Sequence, residues 1–213
     1  MTHPSPTSQR LAAGLAARII HDISGPATGI MTGMDLYGDP ESQDLRDSAL
    51  ELTASSAHTL LDLLGFYRAA FGASGGPQAD ERLKQLAATQ FTGRRARLEW
   101  TSSIGSLSGQ ASQALLIMTQ IVGDALAAGG VVRVATSLRG STLVLSVAGE
   151  GARAQVQPEV LDGLAGREMN EGLAGRWAPA LFLHSLIEGG AGSLTVAVPE
   201  GGLLLEVALP GSS

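Results

Sequence analysis

The chain contains no cysteine. That absence excludes a disulfide framework, a zinc–thiolate site and thiol catalysis, and a cytoplasmic location is expected. Lysine is nearly absent as well: thirteen of the fourteen basic residues are arginine, and Lys84 is the exception. Lys84 lies in no glycine loop, so a Walker-type phosphate loop is excluded. No apolar run approaches the ~18 residues that a membrane helix needs. The first eight residues, MTHPSPTS, are polar and carry no apolar segment behind a basic start. A secretory signal and a membrane anchor are therefore not expected. The formal net charge is -6, which argues against nucleic-acid and anionic-membrane partners. What remains is a 213-residue chain that is 44% hydrophobic, ample for one large or two small domains with ordinary cores.

Two stretches show different patterns. After a tail at 1–8, expected to be disordered, residues 9–72 read as two helices. In the first, Leu15, Ile19, Ile23, Pro26, Ile30, Met34 and Tyr37 recur every three or four positions, an amphipathic stripe. Gly38-Asp39-Pro40 interrupts it, with Asp39 as the cap and Pro40 as the first residue of a second helix. There Leu45, Ala49, Leu52, Ser56, Leu60, Leu63 and Tyr67 repeat the rhythm. A short loop makes such helices antiparallel neighbours. One hairpin buries its stripes poorly, whereas two copies form a four-helix bundle, so a homodimer is expected.

Residues 73–77 read as a linker. Residues 78–213 alternate helices with strand pairs. Helices are expected at 78–89, 110–128, 158–164 and 176–188, a short strand at 97–101, and hairpins at 131–147 and 193–209. The fold class is thus α+β: an N-terminal helical hairpin and a C-terminal two-layer α/β sandwich.

The residues that carry chemistry stand on the first helix, in His21-Asp22-Ile23-Ser24-Gly25-Pro26. At ~100° per residue His21 falls opposite the Ile19/Ile23/Ile30 stripe and faces solvent. Ile20, Ser24, Thr28 and Met31 share that side, and apolar residues exposed beside a histidine read as a docking surface. Neutral imidazole is a nucleophile, with an ordinary pKa near ~6.5. If one ring nitrogen attacks, the other must hold the proton. A carboxylate such as Asp22 fixes that tautomer and stabilises the developing charge. Pro26 removes a helix hydrogen bond and loosens the turn behind His21. An exposed helical histidine is usually no more than a solvated side chain. Asp22, Pro26 and the second domain favour the nucleophile here. His3, His58 and His184 lack those neighbours, and His184 reads as a packing residue.

This histidine–acid–proline pattern resembles that of autophosphorylating histidine kinases. The stretch from Glu171 through Gly175 and Arg176 to Val198 is similar to the end of a GHKL-type kinase domain. Two departures concern the nucleotide site. Gln120 and Asp124 occupy the places of the asparagines that hold Mg²⁺ and phosphate in such kinases. After the strand at 142–147 the chain reads Ala148-Gly149-Glu150-Gly151-Ala152, without the adenine-binding carboxylate in register. The segment between Gly151 and Gly172 is also short for a nucleotide lid. The resemblance is thus to a degenerate GHKL domain.

Taken together, residues 15–22, 44–47, 63–73 and 158–164 resemble the ChpT family of histidine phosphotransferases, and the likeness runs from about Leu11 to Leu209. The resemblance implies a homodimer that takes a phosphoryl group on His21 from the receiver domain of a hybrid histidine kinase. It implies onward transfer to response regulators of the CtrA-like and CpdR-like kind. No cofactor or metal is expected on this chain, since Mg²⁺ comes with the partner receiver domain. His21 and Asp22 are the expected catalytic pair. Arg18, Ile20, Ser24, Gly25, Thr28 and Met31 are the expected partner-binding residues, with Arg18 either steering the receiver or simply solvated. Gly25 stands where bifunctional kinases place Thr or Asn, so hydrolytic dephosphorylation of partners is not expected. Two rival readings stay open at this point. One is an ATP-dependent histidine kinase with a diverged nucleotide site, and the other is a non-catalytic receiver-binding adaptor.

Overall fold

A computed structural model describes residues 5–73, 76–102, 104–168 and 175–211. Two helices lead: α1 (Pro6–Gly38) and α2 (Arg46–Phe71). They pack along their lengths as an antiparallel hairpin. α1 begins three residues earlier than the expected tail allows. The reason is local: the Ser5 hydroxyl accepts the Ser8 N–H at 3.2 Å, and Pro6 takes a position that needs no donor. Asp39 is a cap, accepting from the Glu41 N–H at 3.0 Å and the Ser42 hydroxyl at 2.6 Å. The capped element is a 3₁₀ turn (Pro40–Leu45), however, and Ser42 at φ -109°, ψ 29° delays the α-helix to Arg46.

The helices cross closely at Gly33. A Cβ there would lie 2.7 Å from the Ala49 carbonyl oxygen and collide with the Thr53 hydroxyl. Gly33→Ala is therefore expected to destabilise by about 1–3 kcal/mol, despite alanine's better helix propensity, because backbone cannot yield as a side chain can. A urea titration reads this directly.

The remaining elements are β1 (Gln78–Ala79), α3 (Asp80–Thr89), β2 (Ala96–Ser102), β3 (Ser106–Leu107), α4 (Gly109–Ala125), β4 (Gly130–Arg139), β5 (Thr142–Glu150), α5 (Pro158–Leu164), α6 (Trp177–Gly189), β6 (Ser193–Ala197) and β7 (Gly202–Pro210). Strands β2-β4-β5-β7-β6 form one sheet, antiparallel except that β2 and β4 run parallel. β1 and β3 add a small antiparallel pair that local pattern did not announce, because two-residue strands carry no periodicity. Alternation explains the layering. Val132 and Val134 of β4, Leu145 and Val147 of β5, and Leu203, Leu205 and Val207 of β7 are buried under the helices. Their neighbours turn outward, where Arg133 pairs with Glu99 and Glu150.

The central helix is α4. Leu115, Leu116, Ile117, Met118 and Val122 have no exposed surface, so it is covered on all sides, by the sheet beneath and by α2 and α6 above. Phe66, Tyr67 and Ala70 at the end of α2 belong to this same core. Four of the eight aromatic residues make a ladder there: Phe66–Tyr67 at 5.7 Å, Tyr67–Phe71 at 6.0 Å and Phe71–Phe182 at 5.4 Å. Trp177 of α6 packs with Leu11 and Leu15 of α1, and its indole donates to the Arg167 carbonyl at 3.0 Å. The hairpin is thus seated on the sandwich at two places, the end of α2 and the first half of α1. No helix among the described residues is long and apolar enough to cross a membrane. Residues 171–174, where the stretch likened to the end of a kinase domain begins, lie outside the described residues, as do Ser74, Gly75 and His3.

Candidate functional site

Midway along α1 the helix carries His21 outward. Its side chain is 85% exposed, while that of Asp22, the next residue, is 20% exposed. The His21 Nδ1 lies 2.9 Å from Asp22 Oδ1. A carboxylate can only accept, so in the neutral ring Nδ1 carries the proton and Nε2 holds the lone pair.

The Asp22 carboxylate is itself held. Its Oδ2 accepts from the Arg18 Nε at 2.8 Å, one turn earlier on α1, and from the Tyr67 hydroxyl of α2. Burial by itself would raise the Asp22 carboxyl. The hydrogen bonds from Tyr67 and His21 and the charge of Arg18 outweigh burial and hold it below the ordinary carboxylate range. Tyr67 responds oppositely, since burial and the neighbouring carboxylate both raise its phenol. Asp22 is therefore a fixed anion, available to the imidazole at neutral pH.

The network then crosses to the sandwich. Arg18 Nη2 donates to Asp124 Oδ2 of α4 at 2.8 Å, and Arg94 donates to Asp124 Oδ1 at 2.9 Å. Arg18 is only 15% exposed. Burial lowers its pKa, but Asp124 and Asp22 more than offset that, and the guanidinium stays charged. This corrects both expectations for Arg18. It is neither a surface group nor solvated. It joins two carboxylates, one four residues away and one on another element, which no spacing rule reveals. Asp124 thus accepts from two arginines.

The expected partner-binding residues other than Arg18 are exposed on α1. Ile20 and Met31 are each 60% exposed, and Ser24, Gly25 and Thr28 are exposed between them. The Ser24 hydroxyl donates to the Ile20 carbonyl at 2.6 Å. Pro26 sits within an unbroken α1, where its missing N–H deprives the Asp22 carbonyl of its usual helix donor. A Cβ at Gly25 would meet nothing within 4 Å. Gly25→Ala is accordingly expected to raise stability by about 1 kcal/mol through helix propensity alone. Chemical denaturation tests this, and a loss of stability would contradict the open space at that position.

Behind Arg18 and Asp124 lies a cleft of about 310 Å³, lined among others by Gln120, Arg153, Gln157, Val160 and Arg176. Gln120 is buried, and both its amide atoms are without a partner among the described residues. Glu150 is not in the cleft. Its side chain points out to Arg133, 2.7 Å away. Gly149 is pressed against Val122 and Leu126 of α4. Among the described residues no group of three or more acidic or histidine side chains is arranged to hold a metal. His58 bonds to the Ala54 carbonyl one turn earlier and His184 to the Leu164 carbonyl of α5.

Sequence reasoning missed Tyr67, Arg94 and the part played by Asp124. Tyr67 was visible only as a member of the α2 stripe. Asp124 was visible only as a departure from a kinase motif.

Comparison with known proteins accords with this architecture. Residues 81–202 match the model of the histidine phosphotransferase C-terminal domain. The protein phosphotransferase ChpT of Brucella abortus (strain 2308) is 33% identical over 159 residues, covering 71% of this chain and 73% of that protein. The 1.7 Å structure of a bacterial phosphotransferase superposes with a TM-score of 0.81, covering 97% of this chain and 98% of the other at 23% identity, which shows a common fold. The chain belongs to the ChpT family of histidine phosphotransferases.

Proposed function

We propose that this phosphotransferase passes a phosphoryl group from one receiver-domain aspartate to another by way of His21. The single observation that carries this reading is the His21 side chain, 85% exposed and tethered at Nδ1 to Asp22 at 2.9 Å. The donor is the receiver domain of a hybrid histidine kinase. The acceptors are response regulators of the CtrA-like and CpdR-like kind, and the setting is a cytoplasmic phosphorelay.

In the first step the Nε2 lone pair attacks the phosphorus of the donor's aspartyl phosphate. The P–O bond to aspartate breaks, and the carboxylate leaves with the electron pair. Positive charge appears on the imidazole while Nδ1–H stays bonded to Asp22, which offsets that charge. The second step reverses the order: an acceptor carboxylate attacks phosphorus, and neutral imidazole departs. No proton need leave the site in either step. Phosphoryl transfer rests chiefly on positioning and charge neutralisation, so this chain supplies a well-held nucleophile and the receiver supplies Mg²⁺.

Ile20, Ser24, Gly25, Thr28 and Met31 form the docking face. The open space at Gly25 lets a partner backbone approach the ring, at the cost of helix propensity. The chain acts as a homodimer. Leu45, Leu50, Leu52, Leu61 and Leu64 of the hairpin are each more than a third exposed, and a second hairpin would cover them.

The deciding experiment mixes the protein with a hybrid kinase, labelled ATP and a response regulator, each omitted in turn. Label on this chain only when the kinase is present, moving on to the regulator, supports the relay. Label from ATP alone makes the protein a kinase, and binding without label makes it an adaptor.

A further inference from the structure

We infer that Asp124 and Arg94, on the kinase-like domain, are positioning residues for the acceptor histidine, acting through Arg18 and Asp22. The inference rests on the phosphotransfer reading of His21. Its basis is the way Arg18 divides its guanidinium. Nε donates to Asp22 Oδ2 and Nη2 donates to Asp124 Oδ2, each at 2.8 Å. An arginine beside a single carboxylate prefers to engage both oxygens with two parallel bonds. Were Arg18 to do so with Asp22, it would compete for Oδ1, the oxygen bonded to His21. Asp124 prevents this by drawing the second half of the guanidinium away. Arg94, on the far side, holds Asp124 at 2.9 Å and keeps its Oδ2 turned to Arg18.

The four groups alternate in sign: Asp22, Arg18, Asp124, Arg94. All are partly shielded, with side chains 15–31% exposed, so each link is less screened than a surface pair. Tyr67 saturates the shared Oδ2 from the other side. Asp22 is left with one oxygen for His21, aimed by Arg18 on its own helix, Tyr67 on α2 and, through Arg18, Asp124 on α4. The carboxylate at 124 thus holds Arg18 in a way that an asparagine there would not match, since a neutral amide binds an arginine more weakly. The sandwich, on this view, sets the tautomer and the ring angle of the nucleophile.

The test reads the protein alone and the reaction. In protein labelled with ¹⁵N-histidine, the ring nitrogen shifts of His21 report the fraction of neutral imidazole protonated at Nδ1. Asp124→Asn is expected to move His21 from chiefly Nδ1–H toward a mixture. It should lower the transfer rate at saturating donor by about tenfold, with half-saturation changed less than about twofold. Arg94→Gln, at the partly exposed end, should give the same change in weaker form. It serves as the second variant should Asp124→Asn fail to fold. Arg18→Lys, which keeps the charge but loses the fork, should not restore the wild-type tautomer. Arg153→Gln, on the rim of the neighbouring cleft, should change neither quantity. An unaltered tautomer ratio in folded Asp124→Asn and Arg94→Gln overturns the inference, whether or not the rate falls. Failure of the phosphotransfer reading shows separately, as transfer that survives His21→Ala.

Discussion

His21→Ala is expected to abolish label on this chain and onward transfer to the regulator, while the fold and its melting temperature stay nearly unchanged. Both halves follow from the structure. The side chain is 85% exposed, and its one side-chain hydrogen bond among the described residues is to Asp22, which keeps Arg18 and Tyr67 when His21 is removed. Substitutions at such positions ordinarily change stability by no more than about 0.5 kcal/mol. The chemical loss, in contrast, should be complete, because no other described histidine is an exposed side chain bonded to a carboxylate. His58 bonds through Nδ1 to the Ala54 carbonyl, and His184 is half-buried against Leu164 and Glu188. The measurement is a time course of label on wild-type and variant protein, with circular dichroism to confirm folding. Transfer at wild-type rate by folded His21→Ala would falsify the acceptor assignment.

The second large effect is expected at Asp22. Asp22→Asn keeps the shape of the side chain but removes the obligate acceptor. An amide can turn its NH₂ toward Nδ1 and hold the opposite tautomer, with the lone pair facing inward. A comparable change in a serine protease triad costs about 10⁴ in turnover. Here the imidazole is exposed and can be re-solvated, so a loss of about 10²–10³ is expected. Label should still reach His21, slowly, which separates this variant from His21→Ala.

Asp22→Asn should also change the response of stability to acid. The folded protein holds the Asp22 carboxyl below its ordinary value of 3.8. A depressed carboxyl contributes stability that is fully present above the unfolded value and is lost as pH falls through the folded value. The wild type should therefore melt higher than Asp22→Asn at neutral pH, and the gap should close below about pH 4. Melting curves for both proteins, from about pH 7 to about pH 3, check the sign. A gap that widens in acid would mean that the carboxylate is not stabilised by Tyr67 and Arg18.

Much of this molecule could be read from its residues in order. Helical projection put His21 opposite the Ile19/Ile23/Ile30 stripe, and the ring is exposed. The runs at 131–147 and 193–209 read as strand pairs, and they form β4–β5 and β6–β7. Local chemistry was less legible where it competed with itself. Asp39 and Pro40 signal a helix start equally well for an α-helix and for the 3₁₀ turn that forms, and only the backbone at Ser42 decides between them. Ser5 and Pro6 are a sound helix start as well, but a polar start with three prolines or serines in a row of four reads equally well as a tail.

By itself, then, the sequence determined what is periodic or contiguous: the two amphipathic helices, the strand pairs and the motif of His21, Asp22 and Pro26. These depend on neighbours within a turn or a strand, where geometry is common to all proteins. Tertiary structure alone decided what holds Asp22. Tyr67 comes from 45 residues away and Asp124 reaches Arg18 across 106. Such pairings arise only when α2 and α4 share a core, and a charge carries no label of its partner. Arg18, read from sequence as steering a receiver or solvated, bonds both to Asp22 and to Asp124 of the domain beneath.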